Sequence, residues 1–305
     1  MKHHVHVAGV IYATIFGFTF MFSKVALDYV RPIGLIAYRF LVAIIVLEIL
    51  RWLKVIHIRF DKKHFKHLFL VALFQPVLYF IFETYGIRLT TSGEAGMMIA
   101  LIPIFVTILS SFVLKEAPKK IQIFFILLSV SGVLFIQIMK SSTGLDVNLW
   151  GLLLLLGAVI SAALFNIASR NASKTLKPYE LTYFMMLGGA IVFNFIYMIQ
   201  LSIESRLSDY ITNLSHIELL VPILYLGVIA SIGGFFLVNF ALSKVPAHVS
   251  SIYANLSTIV AIIAGAWLLQ EKLYFYHLIG AFMIIIGVYG TVRFNIGKHK
   301  FKIKE

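Results

Sequence analysis

The chain contains no cysteine among its 305 residues. This absence excludes a disulfide framework, a cysteine-based zinc site and iron–sulfur ligation. Charged residues are also scarce, at 13% of the chain, whereas a soluble domain carries about 25%. The signatures Gly-x-Ser-x-Gly, His-Glu-x-x-His and Gly-x-x-x-x-Gly-Lys are missing as well. The sequence therefore predicts no enzyme, no bound cofactor and no metal centre.

Apolar residues, by contrast, make up 60% of the chain. A helix that crosses the hydrocarbon core of a bilayer needs about 20 of them in succession. Runs such as the five leucines at 152–156 do not alternate as the strands of a membrane β-barrel would. The sequence predicts an all-α integral membrane protein with ten transmembrane helices, at 7–27, 34–53, 67–88, 94–115, 121–140, 149–170, 180–200, 219–242, 247–269 and 276–294.

The net charge of +13 is distributed unevenly between the two sides of the predicted helices. If the amino terminus is cytoplasmic, 19 of the 26 lysines and arginines lie on the cytoplasmic side and five lie outside. Cytoplasmic loops of membrane proteins carry such an excess. We therefore expect a multi-pass protein of the cell membrane with both termini in the cytoplasm. Because the basic residues alternate with apolar runs, the expected partner is the lipid bilayer and not a nucleic acid.

The sequence also contains a weak internal repeat. Leu-Lys-Glu at 114–116 and Gly132 recur 155 residues later as Leu-Gln-Glu at 269–271 and Gly287. These features predict two five-helix repeats, residues 1–145 and 146–305, the second carrying the basic tail. Because five is odd, the second repeat lies inverted in the membrane. Inverted repeats are typical of transporters, whose substrates bind where the halves meet, although duplications also occur in channels and membrane enzymes.

Several segments resemble the EamA-type branch of the drug/metabolite transporter superfamily. They are Phe-Gly-Phe-Thr-Phe-Met-Phe-Ser-Lys at 16–24, Ile-Ala-Tyr-Arg-Phe at 36–40, Leu-Ile-Pro at 101–103 leading to Glu116, and the second copy from Leu256 to Glu271. Phe16 replaces the family's usual tryptophan, and Thr258 stands where Pro103 stands in the first copy. The resemblance implies ten helices, secondary transport without ATP, small metabolites as substrates, and export in many members.

The main ionisable residues within the predicted membrane helices are Lys24, Arg39 and Glu83. Such groups are costly in a membrane and are candidates for function. All three are predicted at a similar depth, in the outer third of the membrane. They form a candidate site for a charged or zwitterionic substrate, with Glu83 as a proton carrier. Alternatively, Lys24 and Arg39 extend to the interface, or Arg39 and Glu83 form a structural pair.

Polar residues without charge add further candidates. Gln75, Tyr79 and Glu83 follow an i, i+4, i+8 spacing and are predicted to share one face of the third helix. That face either lines a cavity or bonds to a neighbouring helix. Towards the inner side, the candidate substrate ligands are Asn166, Asn239, Tyr253 and Asn255. An amide can both donate and accept hydrogen bonds to a polar solute, but it can equally join two helices.

Helix kinks and helix ends are also readable from the sequence. Pro76, Pro103 and Pro222 lie within predicted helices, where a proline frees a carbonyl and introduces a bend. Glu116 and Glu271 end the fourth and ninth helices and are expected at the membrane interface as structural residues.

Taken together, these features predict a secondary transporter. It would move a small metabolite, such as an amino acid or a related polar or amphipathic solute, out of the cell by alternating access, with a proton or solute gradient as the driving force. The alternative is a membrane-embedded enzyme or a lipid-handling protein. That class should show several carboxylates or histidines converging at the interface, whereas one glutamate is predicted within the membrane. The oligomeric state is left open.

Overall fold

A computed structural model describes residues 2–58, 61–90, 98–140, 148–268 and 272–294. All regular structure in these ranges is helical. A short helical turn, Asp209–Thr212, lies between the seventh and eighth long helices. We number the long helices α1 Lys2–Leu27, α2 Pro32–Trp52, α3 Lys62–Gly86, α4 Ile102–Val113, α5 Lys120–Lys140, α6 Leu149–Ala172, α7 Pro178–Ile203, α8 Ile217–Lys244, α9 Ala247–Trp267 and α10 Phe275–Arg293.

Within the described ranges, nine of these helices are long and apolar enough to cross a membrane. The shorter one is α4, and residues 91–97 before it lie outside the described part of the chain. The predicted multi-pass, all-helical class is therefore confirmed, while the exact number of ten spans stays a prediction. Two helices start five residues earlier than predicted: α1 begins at Lys2 and not at residue 7, and α3 begins at Lys62 and not at residue 67.

Equivalent helices of the two predicted repeats pack against each other in antiparallel pairs. In the pair of α2 and α7, Asn194 donates to the carbonyl of Ala37 at 3.2 Å. Further along α2, Glu48 accepts a hydrogen bond from Tyr183. Later residues of α2 thus meet earlier residues of α7, so the two helices run in opposite directions.

Glycines bring the second equivalent pair, α5 and α10, into close contact. A Cβ atom on Gly280 would clash with the side chain of Ile136, and one on Gly287 would meet the backbone nitrogen of Ser129 at 2.6 Å. Small residues at helix interfaces let backbones approach closely in membranes. The order of these contacts again makes the two helices antiparallel.

The remaining helix contacts also come in equivalent sets, one for each half of the chain. α1 packs against α8 and α9, and its equivalent α6 packs against α3 and α4. Likewise α2 contacts α8, and α7 contacts α3. Equivalent helices of the two halves therefore make equivalent contacts, as expected when a pseudo-twofold axis relates the halves.

The helix directions define two sides of the bundle. We call the side on which α1 begins the near side and the side on which it ends the far side. α9 runs parallel to α1, because a Cβ on Gly9 would meet Tyr253 whereas one on Gly17 would meet Val260. α9 therefore also begins on the near side.

Two helices at equivalent positions are interrupted by π-helical turns. In α3 the irregular stretch is Leu73–Leu78 and contains Pro76, and in α8 it is Tyr225–Gly234, just after Pro222. When the residue numbers of the first stretch are shifted by the repeat offset of 155, they fall within the second stretch. Proline supplies no N–H and disrupts the helical ladder, and π-helical turns occur frequently at functional sites.

Candidate functional site

A cluster of polar side chains surrounds Arg39, about 10 Å from the far end of α2 at 1.5 Å per residue. Arg39 is buried, with 8% of its surface exposed. Its Nε atom donates to Ser231 Oγ on α8 at 2.6 Å. Ser231 in turn donates to the carbonyl oxygen of Leu226 at 2.8 Å, within the π-helical stretch. The irregular part of α8 thus orients the guanidinium group.

The acidic member of this cluster is Glu83 on α3. It accepts a hydrogen bond from Tyr79 at 2.8 Å, and both side chains are partly exposed. The charges of Arg39 and Glu83 interact electrostatically. Neither residue takes part in an ion pair within 4.0 Å among the described residues. Arg39 and Glu83 are therefore bonded to different partners, and no direct ion pair joins them.

Aromatic rings complete the surroundings of the guanidinium group. Its central carbon lies 5.2 Å from the ring centre of Phe80 and 5.7 Å from that of Phe40. A cation within about 6 Å of a ring is attracted by the ring's negative face. We call Arg39, Tyr79, Phe80, Glu83 and Ser231 the far-side cluster.

The structure brings together three of the side chains singled out from the sequence, namely Arg39, Tyr79 and Glu83. The side chain of Lys24 lies outside the described residues. Gln75 does not follow the predicted helical face, because its backbone (φ −150°, ψ 120°) leaves the helical conformation beside Pro76. An i, i+4 spacing predicts a shared face only in an unbroken helix.

Sequence reasoning missed Ser231, since a serine in a membrane helix attracts little notice. The signal that could have found it is positional. At the 155-residue offset of the repeat, Ser231 is the equivalent of Pro76, the residue that interrupts α3. Interrupted helices at matching positions of two halves indicate a binding site.

The predicted inner amide Asn239 is completely buried. It accepts a hydrogen bond from Ser169 on α6 at 2.7 Å. It donates to Thr182 on α7 at 3.0 Å. These bonds join α8 to α6 and α7.

The other inner candidates also have protein partners. Asn166 donates to the carbonyl of Ala162 in its own helix at 2.9 Å, and Asn255 donates to Ser129 at 3.1 Å. The hydroxyl of Tyr253 is hydrogen-bonded to His6 at 2.6 Å. The contacts of Asn255 and Tyr253 match the helix-joining alternative, whereas the bond of Asn166 stays within α6. A role of these residues in substrate binding stays a prediction.

A buried ion pair lies at the near side of the bundle. Arg170 Nη2 on α6 lies 2.9 Å from Glu116 Oε1, just after α4, with side-chain exposures of only 3% and 8%. Arg170 also donates to the carbonyl of Leu242 near the end of α8 at 2.7 Å. The second oxygen of Glu116 accepts from the backbone N–H of Ala247, at the start of α9, at 3.1 Å. We call these contacts the near-side lock.

The sequence did not predict this lock. Each of the two residues lies at the end of an apolar run, a position that predicts a place at the membrane interface. Only the packing of four helix ends shows that the two side chains are buried together. The equivalent of Glu116, Glu271, lies outside the described residues. Among the residues described, no group of three or more His, Asp or Glu side chains could hold a metal ion.

The repeated helical contacts and the polar cluster between the halves define a multi-pass membrane protein of the transporter class. The model of the EamA-like transporter family matches residues 5–138 and again residues 149–293. The chain belongs to this family, which confirms the resemblance found in the sequence.

Similar proteins carry transporter names. YcxC, an uncharacterized transporter of Bacillus subtilis, is 36% identical over 289 residues, which cover 94% of this chain and 92% of that protein. An uncharacterized transporter of Archaeoglobus fulgidus is 26% identical over 281 residues, or 92% of this chain and 95% of that protein.

A solved crystal structure has the same fold. It superimposes with a TM-score of 0.76 over 94% of this chain and 98% of its own, at 14% sequence identity. At this level of identity the likeness shows the fold alone.

Proposed function

We propose that this protein is a secondary transporter that exports a small zwitterionic metabolite, such as an amino acid, by alternating access. The supporting observation is the far-side cluster, in which the charges of Arg39 and Glu83 interact without a direct ion pair. A zwitterion can bridge them, its carboxylate towards Arg39 and its ammonium group towards Glu83. Phe80 offers an apolar surface beside the cation.

The surroundings of the cluster support the same proposal. Its members lie on α2, α3 and α8, so both halves contribute. The π-helical stretches of α3 and α8 provide points at which the halves can move. The antiparallel packing of equivalent helices supports two inverted repeats, residues 1–145 and 146–305.

The proposed orientation places the near side in the cytoplasm of a cell membrane, with both termini inside. The excess of lysine and arginine on that side supports this orientation. Cysteine labelling of either terminus in intact cells tests it, because the chain has no cysteine of its own. Labelling of a terminus by an impermeant reagent from outside would contradict the orientation.

The proposed energy source is a proton gradient, with Glu83 as the group that takes up the proton. The test uses purified protein in liposomes, after a thermal-shift screen of amino acids, nucleosides and organic acids has identified a ligand. Glu83→Gln should abolish gradient-driven flux of that ligand and leave its exchange intact, because exchange requires no net proton movement. Glu218→Gln, at an exposed position near the start of α8, is the matched control.

Two results would contradict parts of this proposal. Unchanged gradient-driven flux in Glu83→Gln would remove Glu83 from the mechanism. A ligand that bears no carboxylate and no ammonium group would remove the zwitterion from the proposal.

A further inference from the structure

We infer that the near-side lock is the gate that closes the transport pathway towards the near side. The inference rests on the transport function proposed above and concerns Glu116 and Arg170, which the proposed binding site does not use. Opening of the near side would require these two side chains to separate.

The first argument is the position of the lock. It joins the near-side ends of α4, α6 and α8 to the start of α9. These four helices come from both halves of the chain, so contacts among them hold the halves together at that side. A solute leaving the far-side cluster towards the near side would have to pass between these ends.

The second argument is the completeness of the lock. Glu116 uses one oxygen for Arg170 and the other for the backbone of Ala247, and Arg170 also reaches the carbonyl of Leu242. A buried pair of this kind is stable only while its additional hydrogen bonds are made. A gate requires two states, one in which such contacts are formed and one in which they are broken.

The third argument is a direct link to the proposed binding site. α8 carries Ser231 of the far-side cluster, the buried Asn239 and the Leu242 carbonyl of the lock. From Ser231 to Leu242 the helix rises about 16 Å. A movement of α8 that changes its contact with Arg39 therefore also changes its contact with Arg170.

The sequence contains the same pair of residue types in the other copy. At the offsets of 146 and 155 residues, Arg170 corresponds to Lys24 and Glu116 to Glu271. Both of those side chains lie outside the described residues, so the inference is confined to the near side.

The test measures access to a thiol placed behind the lock. Asn166 lies one helical turn from Arg170, on the same face of α6 and deeper in the bundle. Asn166→Cys in the otherwise cysteine-free chain provides a single reporter. Its reaction with an impermeant maleimide is followed from the near side in inside-out vesicles and from the far side in right-side-out vesicles.

When Glu116→Gln is combined with Asn166→Cys, the near-side labelling rate should rise at least tenfold and the far-side rate should fall. Arg170→Lys keeps the charge but loses the forked geometry, so it should give an intermediate increase. Glu204→Gln removes one charge from the exposed pair with Arg31 on the far side and is the matched control. It should leave both rates unchanged.

The gate would be overturned if the parent and both lock variants were labelled at equal rates and the variants differed only in a lower thermal stability. Glu116 and Arg170 would then be a structural ion pair. If Glu116→Gln does not accumulate in the membrane, the milder Arg170→Lys decides by the same criterion. The assay needs no substrate. If the protein transports a ligand but the lock variants leave the labelling rates unchanged, the gate alone is disproved. If the lock variants change the labelling rates but no ligand is transported, the transport function is disproved.

Discussion

The far-side cluster and the near-side lock each contain one arginine and one glutamate, yet they are built differently. In the lock, Arg170 and Glu116 are in direct contact at 2.9 Å and buried at the ends of helices. In the cluster, Arg39 and Glu83 are not directly paired, and each is bonded to an uncharged hydroxyl. Along α8 the two sites lie about 16 Å apart, from Ser231 to Leu242.

From this difference in pairing we expect the two sites to have different tasks. A direct ion pair with its remaining hydrogen bonds made stabilises one arrangement of helices. A separated pair leaves both charges able to bind a third group. The predictions below test whether the lock serves structure and closure while the cluster serves binding.

The largest effect on stability is expected from Arg170→Gln. Removal of one partner from a buried ion pair leaves an uncompensated charge and costs about 3–5 kcal/mol. Thermal unfolding in detergent, followed by intrinsic fluorescence or by dye binding, measures this loss. A melting temperature equal to that of the parent would show that the lock is not the stabilising contact that its geometry indicates.

A large effect on transport but a smaller one on stability is expected from Arg39→Gln. Hydrogen bonds to charged groups contribute about 1.5–3 kcal/mol, so the flux of a bound solute should fall roughly 10- to 100-fold. Flux assays and melting curves are compared with those of Arg170→Gln. Equal destabilisation by both variants, with flux retained in Arg39→Gln, would abolish the distinction between the two sites.

A moderate effect is expected from Ser231→Ala, because the variant removes the acceptor that orients Arg39. A hydrogen bond contributes about 0.5–1.5 kcal/mol, so ligand affinity should fall by up to about tenfold. Ser169→Ala is the matched control, since it removes a serine bonded to the buried Asn239 and not to the cluster. Equal loss of affinity in both variants would show that Ser231 has no special role.

The smallest effect is expected from Glu204→Gln. A hydrogen bond from Arg31 lowers the pKa of the Glu204 carboxyl, which is exposed beyond the end of α7. A carboxyl with a lowered pKa stabilises the fold at neutral pH, and this contribution is lost as the pH falls through that pKa. The small difference in melting temperature between parent and variant should therefore disappear in acid. A difference that grew in acid would contradict this assignment.

Much of the architecture could be predicted from the sequence, because the lipid environment imposes a simple rule. Backbone groups in a bilayer must be satisfied within helices, so apolar runs of about 20 residues mark the spans. The predicted helix at 149–170 matches α6 at Leu149–Ala172, and the predicted helix at 180–200 lies within α7 at Pro178–Ile203. The family resemblance rested on the order of several short motifs and was confirmed.

The candidate site was only partly predictable. Arg39, Tyr79 and Glu83 could be found because ionisable and polar residues are rare within membrane helices, and their positions along the helices implied a similar depth. Gln75 departed from its predicted face because regular spacing fails where proline interrupts a helix. Ser231 escaped notice because its role depends on a contact 192 residues away in the chain.

The sequence by itself determined the membrane environment, the helical class, the repeat and the family, since each follows from composition and local spacing along one chain. Only the tertiary structure decided which charges meet. Arg170 and Glu116 are 54 residues apart in the chain and are joined when four helix ends converge. Arg39 and Glu83 instead bond to hydroxyl groups on α8 and α3. Such pairings depend on how helices pack in three dimensions, which a pattern along one dimension does not contain.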